Sequence, residues 1–291
     1  MSQHHFDAEK TQYQTITLAN GFELAYLDTG KGARTILFIH GLGTYSGTWF
    51  RNMSVLSDDF RCIAVDLPGN GFSDKRRQAF GMQYFAACIY DLLQQLQLHE
   101  VTVCGHSMGG QVAIHLALNA PELVSSLILC APAGFEVFSP WERSLYRSML
   151  QFWGMFSNNE SSLRSSIYSS FYENPAQADE LIREMVQIMR SYASDDYRAM
   201  ADACIDAMLE EPVADRLGEL KMPVLVVFGE MDALIPNQML HPGSTKALAQ
   251  RAVQRMPKGQ LVTIPFAGHF IQWEKAAEVN AAIRRFMSET A

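Results

Sequence analysis

The sequence of 291 residues is short of the features that staple, anchor or charge a chain. Its five cysteines, Cys62, Cys88, Cys104, Cys130 and Cys204, are odd in number and widely spaced. No CxxC pair occurs, which leaves no zinc knuckle and no redox motif. Cys62, Cys104 and Cys130 lie in apolar, strand-like runs, where a free thiol acts as a small hydrophobe. Buried, reduced cysteines in a cytoplasmic protein are the expectation. No apolar run approaches the roughly 20 residues of a membrane span, and Met1 to Gln14 is polar, without the apolar segment of a secretory signal. Positive charge is in deficit: 23 Lys and Arg against 31 Asp and Glu give a net charge of −8. That balance argues against a sequence-independent grip on nucleic acid or on an anionic membrane surface. Metal and nucleotide signatures such as H-E-x-x-H, a Walker loop or an EF-hand are missing, so neither metal nor cofactor is expected. The acidic pairs Asp58-Asp59, Asp195-Asp196 and Glu210-Glu211 are adjacent, and their side chains diverge on a helix.

What is abundant is apolar. Hydrophobic residues make up 48% of the chain, which rules out disorder for its bulk. Tyr13 to Ala19 and Phe22 to Asp28 alternate around Asn20-Gly21, a hairpin signal. Thr35 to Ile39, Arg61 to Val65, Val101 to Cys104, Leu123 to Cys130 and Pro223 to Phe228 are short continuous apolar runs, as in strands buried on both faces. Gln260 to Ile264 is a last candidate. Helical patterns lie between them, at Ser46 to Ser57, Met82 to Leu98, Met108 to Asn119, Thr245 to Arg255 and Ile271 to Met287. Strands alternating with helices imply crossovers and a doubly wound, mostly parallel α/β sheet, edged here by the antiparallel hairpin.

From about Gly134 to Pro212 the alternation stops. Helical patterns at Trp141 to Phe156, Ala178 to Tyr192 and Asp196 to Leu209 surround a Ser/Asn-rich connection, Ser157 to Ser170. The segment holds 12 of the 31 aromatic residues and six methionines. It is either a helical subdomain with its own core or a lid whose inner face lines an apolar pocket. The expected division is a core of residues 1–133 and 213–291 with a lid of residues 134–212.

Gly105-His106-Ser107-Met108-Gly109 follows one strand and opens one helix, the context of a G-x-S-x-G nucleophile elbow. A serine on so sharp a turn is strained and exposed, and the helix that follows favours a developing oxyanion. A serine needs a base, and the base an orienting acid. Among eight histidines, His269 is the candidate base, on the loop after the last strand. His4 and His5 fall in the tail, His99 and His241 among loop residues, and His115 on the helix after the elbow. His106 adjoins the serine at a tight turn, so its side chain is directed away. Asp232, after the strand Pro223 to Phe228, is the candidate acid, with Glu230 as its rival. His40-Gly41-Leu42-Gly43 ends the strand Thr35 to Ile39. The backbone amides of Leu42 and Met108 would form an oxyanion hole, with His40 bracing the loop. The same loop, with Asp66 some 20 residues on, is nearly a dinucleotide fingerprint, but its third glycine comes one residue late.

At these residues the sequence resembles the α/β-hydrolase fold superfamily. The motifs that carry the likeness are His40 to Gly43, Asp66-Leu67-Pro68-Gly69-Asn70-Gly71-Phe72-Ser73-Asp74, the elbow, Asp232 and Gly268-His269. The resemblance implies an eight-stranded core with a helical lid inserted after the sixth strand, and a cofactor-free serine hydrolase with Ser107, His269 and Asp232 as catalytic residues. Ser107 stands where dehalogenase and epoxide-hydrolase relatives use aspartate. The Ser-Met-Gly-Gly elbow and Phe270 to Glu274 are similar to carbon–carbon bond hydrolases of meta-ring-fission products. Those enzymes usually carry Asn where this chain has His106, and their lid arginine could correspond to Arg183 or Arg190. The leading expectation is an esterase acting on a small-molecule ester with an apolar or aromatic acyl group. A diketone hydrolase, or a small-molecule receptor on the same scaffold, is the alternative. Nothing in the sequence fixes an oligomeric state.

Overall fold

Continuous apolar runs become the buried strands of one sheet. The computed structural model describes residues 12–30, 32–76, 80–153, 159–173, 175–192 and 196–290. The tail histidines His4 and His5, the end of the helix expected over Trp141 to Phe156, and Ser157 lie outside the described residues. Eight strands form the sheet: β1 (Gln14–Thr17), β2 (Glu23–Asp28), β3 (Thr35–Ile39), β4 (Arg61–Val65), β5 (Val101–His106), β6 (Val124–Cys130), β7 (Val224–Gly229) and β8 (Gly259–Ile264). Their order is β1-β2-β4-β3-β5-β6-β7-β8. β2 runs antiparallel to β1 and β4, and every other pair is parallel. The hairpin turns at Gly21, whose φ of +77° suits a residue without a Cβ.

β5 and β7 are buried along their whole length, and β3 and β4 except at their first residues. Helices cover both faces, so these strands need apolar side chains at every position rather than at every second one. The chain passes from β3 outward to β4, then returns to place β5 on the other side of β3. That reversal opens a crevice at the carboxyl ends of β3 and β5, where ligands bind in open α/β sheets.

The core helices are α1 (Phe50–Leu56), α2 (Met82–Gln95), α3 (Met108–Asn119), α8 (Thr245–Gln254), α9 (Ile271–Glu274) and α10 (Ala276–Glu289). Between β6 and β7 lie α4 (Pro140–Trp153), α5 (Glu160–Ser169), α6 (Ala178–Arg190) and α7 (Asp196–Glu210). Three local expectations are corrected. The helix expected from Ser46 opens as a 3₁₀ turn, Ser46–Trp49, in which the Thr48 amide donates to the Tyr45 carbonyl at 3.1 Å, and Asp66 accepts from the Ser46 amide at 2.6 Å. The helix expected over Ile271 to Met287 breaks at Lys275, where φ is −124° and ψ is 48°. The stretch Ser157 to Ser170, expected as a connection, contains α5. Ser161, Ser165 and Ser169 are exposed, Leu163 and Ile167 are buried, and the Asn159 side chain caps it by accepting from the Ser161 amide at 2.8 Å.

Candidate active site

β5 ends at His106, and the chain turns into α3 through Ser107, whose φ is +52° and ψ −119°. A non-glycine residue there is strained, and its surroundings must hold it. Two glycines make the turn possible. A Cβ on Gly105 would lie 2.3 Å from the Gly109 carbonyl oxygen, and one on Gly109 would lie 2.4 Å from the carbonyl oxygens of Ile39 and His40. The elbow is thereby pressed against the end of β3.

Three expected residues from three loops meet. His269 Nε2 lies 3.0 Å from Ser107 Oγ, and His269 Nδ1 lies 2.9 Å from Asp232 Oδ2. The other Asp232 oxygen accepts from the amides of Leu234, at 2.8 Å, and Ile235, at 3.1 Å. A carboxylate held on both oxygens fixes the ring it faces, so Nδ1 carries the hydrogen and Nε2 presents a lone pair to the serine. Asp232 and His269 are buried and Ser107 is partly open. Glu230, the rival acid, points elsewhere: it accepts from Thr263 Oγ1 at 2.9 Å and pairs with Lys246.

The loop after β3 lies against the serine. A Cβ on Gly41 would stand 3.3 Å from Ser107 Cβ. Among the described residues, no backbone acceptor takes the amide N–H of Leu42 or Met108. His40 braces this loop. Its Nε2 accepts from the Leu67 amide at 3.0 Å, so Nδ1 carries the hydrogen and donates to the Gly41 carbonyl at 2.8 Å. Burial pushes its pKa down to about 4, so it stays neutral at physiological pH. Asp66, the acidic residue of the near-fingerprint, is fully buried, and its two oxygens accept from the amides of Ser46 and Phe72. Buried completely, it presents no surface to a ribose. Desolvation still raises its pKa to about 6.

His106 packs beside the relay. Its Nε2–H donates to the His269 carbonyl at 3.0 Å, and its Nδ1 is buried without a partner. Burial, with His269 second, drives it well below the ordinary histidine range. Residues that sequence reasoning passed over also matter. Glu274 accepts from the Gly268 amide at 2.7 Å on one oxygen, and from those of Tyr172 and Glu173 on the other. It ties the His269 loop to the segment after α5. The signal available was an acidic residue inside a short apolar helix, Ile271–Glu274. Glu136 and His241, from different loops, meet at 2.8 Å beside the site. Nothing in their spacing, 105 residues apart, announces this.

A cavity of about 200 Å³ opens on Ser107 and His269. One water needs about 10–15 Å³ by the same kind of measure, so the space suits an organic molecule. Leu163, Ile167, Met185, Ile205, Met208 and Phe270 give it apolar walls. In the helices between β6 and β7, Leu181, Ile182 and Val186 are buried, while Leu163, Met185 and Ile205 line the cavity. Arg183 and Arg190 do not line it; both are exposed, and Arg190 pairs with Glu160.

Comparison with known proteins gives a consistent picture. Residues 34–276 match the profile described as the alpha/beta hydrolase fold. A dihydrolipoyllysine-residue acetyltransferase component of the acetoin cleaving system from Pseudomonas putida is 29% identical over 272 residues, covering 93% of this chain and 66% of that protein. The chain thus spans just under two thirds of that relative. A 2-hydroxy-6-oxononadienedioate/2-hydroxy-6-oxononatrienedioate hydrolase from Paraburkholderia phymatum is 26% identical, covering 98% of each chain. Among solved structures, a thermophilic esterase from Thermogutta terrifontis superposes with a TM-score of 0.77 at 27% identity, over 96% of this chain and 99% of that one.

Proposed function

The chain belongs to the α/β-hydrolase fold family, and from that premise we propose that it is a hydrolase, a serine esterase of apolar or aromatic small-molecule esters. The observation that carries the reading is the relay Ser107 Oγ, His269 Nε2, His269 Nδ1 and Asp232 Oδ2, with links of 3.0 and 2.9 Å, opening on an apolar cavity.

Ser107 Oγ attacks the ester carbonyl carbon while His269 Nε2 takes its proton. Asp232 holds the ring and stabilises the imidazolium. The carbonyl oxygen becomes an oxyanion, which the Leu42 and Met108 amides receive at the N-terminus of α3. Collapse breaks the carbon–oxygen bond, and His269 returns the proton to the departing alcohol. A water then attacks the acyl-enzyme by the same path, with His269 again as base, and releases the acid. Residues 134–212 act as a lid over this site. It makes the cavity apolar, strengthening the electrostatics inside.

The relative from Paraburkholderia phymatum raises the carbon–carbon hydrolase reading, whose dioate substrate is an anion. Among the described residues lining the cavity there is no Lys or Arg to receive a carboxylate, which favours the ester reading. The test is a panel of p-nitrophenyl esters set beside a vinylogous diketone. Turnover of short and medium esters in excess over protein is expected. Turnover of the diketone alone would overturn the proposal.

A further inference from the structure

Glu136 alone among the described residues lining the cavity carries a formal charge. It lies on the loop between β6 and α4, and its side chain is 10% exposed. Both hydrogen bonds it accepts fall on one oxygen: Oε1 takes the Asn237 amide at 3.0 Å and His241 Nδ1 at 2.8 Å. Among the described residues Oε2 accepts no hydrogen bond, and Glu136 borders both this cavity and a second one on the side of His241 and Pro242. His241 is set in turn against Glu142, with Nε2 3.5 Å from Oε1, and stacks on Phe138 at 4.6 Å between centroids. Even with a protonated imidazole, this group of two carboxylates and one ring keeps a negative charge. Burial raises the Glu136 carboxyl, and Asp232 adds to the effect, so a cation arriving in the cavity would relieve a desolvated anion.

The cavity is therefore electrically two-sided. The N-terminus of α3 at Ser107 favours negative charge at the reacting carbonyl. Glu136 favours a hydrogen-bond donor, and a cation most of all.

We propose that Glu136 is a specificity residue that selects substrates whose cavity-bound part carries an ammonium or hydroxyl group, and that it rejects those carrying a carboxylate. The proposal deepens the esterase reading and rests on it only for the substrate assay. A purely structural Glu136 would fasten the loop of Asn237 to that of α4 and leave the ranking of ligands by charge unmoved.

The experiment uses the full-length chain and small probes near neutral pH: pentylammonium, pentanol and pentanoate, with binding followed by calorimetry. The wild type should bind pentylammonium at least about tenfold more tightly than pentanoate, with pentanol between them. Glu136→Gln retains an oxygen for Asn237 and should bring the two ions within about threefold; Glu136→Asp should keep the wild-type order. Equal or tighter binding of pentanoate by the wild type would overturn the proposal, as would an unchanged ratio in Glu136→Gln. A parallel series on the wild type needs no variant to fold. Its kcat/KM should rank the p-nitrophenyl ester of aminohexanoate above that of hexanoate, and both above the adipate monoester. Top rank for the adipate ester would sink the selectivity. If the wild type turns over none of the esters, the esterase reading fails, while the binding order still decides the role of Glu136.

Discussion

Ser107 keeps a backbone conformation that costs a non-glycine residue on the order of 1–3 kcal/mol. The turn is held because Gly105 and Gly109 let strand, helix and the end of β3 touch. Gly109→Ala would drive a methyl group to 2.4 Å from two backbone oxygens that cannot rotate away. The expected cost is about 1–3 kcal/mol of stability, read as a lower denaturant midpoint, with most ester turnover lost because the serine is displaced. A Gly109→Ala protein as stable and active as the wild type would show that the elbow relaxes more easily than its contacts allow. If Ser107 is the nucleophile, a fluorophosphonate should label it alone, and Ser107→Ala should lower kcat by several orders of magnitude; the corresponding loss in subtilisin is roughly 10⁶. Persistent turnover in that variant would remove the serine from the mechanism. The two neighbouring histidines should separate cleanly. His269→Ala should abolish most activity. His106→Ala should leave the acid-side fall of kcat/KM in place, because burial already holds His106 neutral well below the usual range. Loss of that limb in His106→Ala would reverse the two roles.

At the scale of elements, α6 meets the core at a titratable contact. Tyr45, just after the loop that faces Ser107, donates its hydroxyl to Glu184 Oε2 on α6. Desolvation raises the Glu184 pKa from 4.5 to about 7. The folded state therefore binds this proton more tightly than the unfolded chain does. The contribution of Glu184 to stability is complete below about 4.5 and is lost as pH rises through about 7. Thermal unfolding across that window should show the wild type losing stability relative to Glu184→Gln as pH increases. Parallel curves for the two proteins would mean that the carboxylate is solvated. The helix α5 shows why this region was the least legible. Its serines and asparagine read as a connection, and only Leu163 and Ile167, four residues apart, mark a face that is buried once neighbours arrive. Propensity spoke for a turn, and packing prevailed.

Across the whole molecule, the proposed chemistry requires only groups of the chain itself, so exhaustive dialysis against EDTA should leave ester turnover unchanged. Loss of activity restored by one metal equivalent would show that the site has been misread. The sequence by itself determined the sheet and the place of the elbow. Continuous apolar runs such as Thr35 to Ile39, too short for a buried helix, read as strands buried on both faces, and their alternation with helices implies parallel crossovers. Local rules also singled out Ser107, Asp232 and His269, because each follows a strand at the end where loops converge. Tertiary structure alone decided what lies between these landmarks. It broke the last helix at Lys275, and it set Glu274 beneath the His269 loop. It turned one face of the helices between β6 and β7 into a cavity wall. It brought Glu136 to His241 across 105 residues of chain. Periodicity reports which side of an element is apolar, but the partner of a buried charge is fixed only when separate loops are packed together, because an unpaired carboxylate in a dry site costs too much to persist.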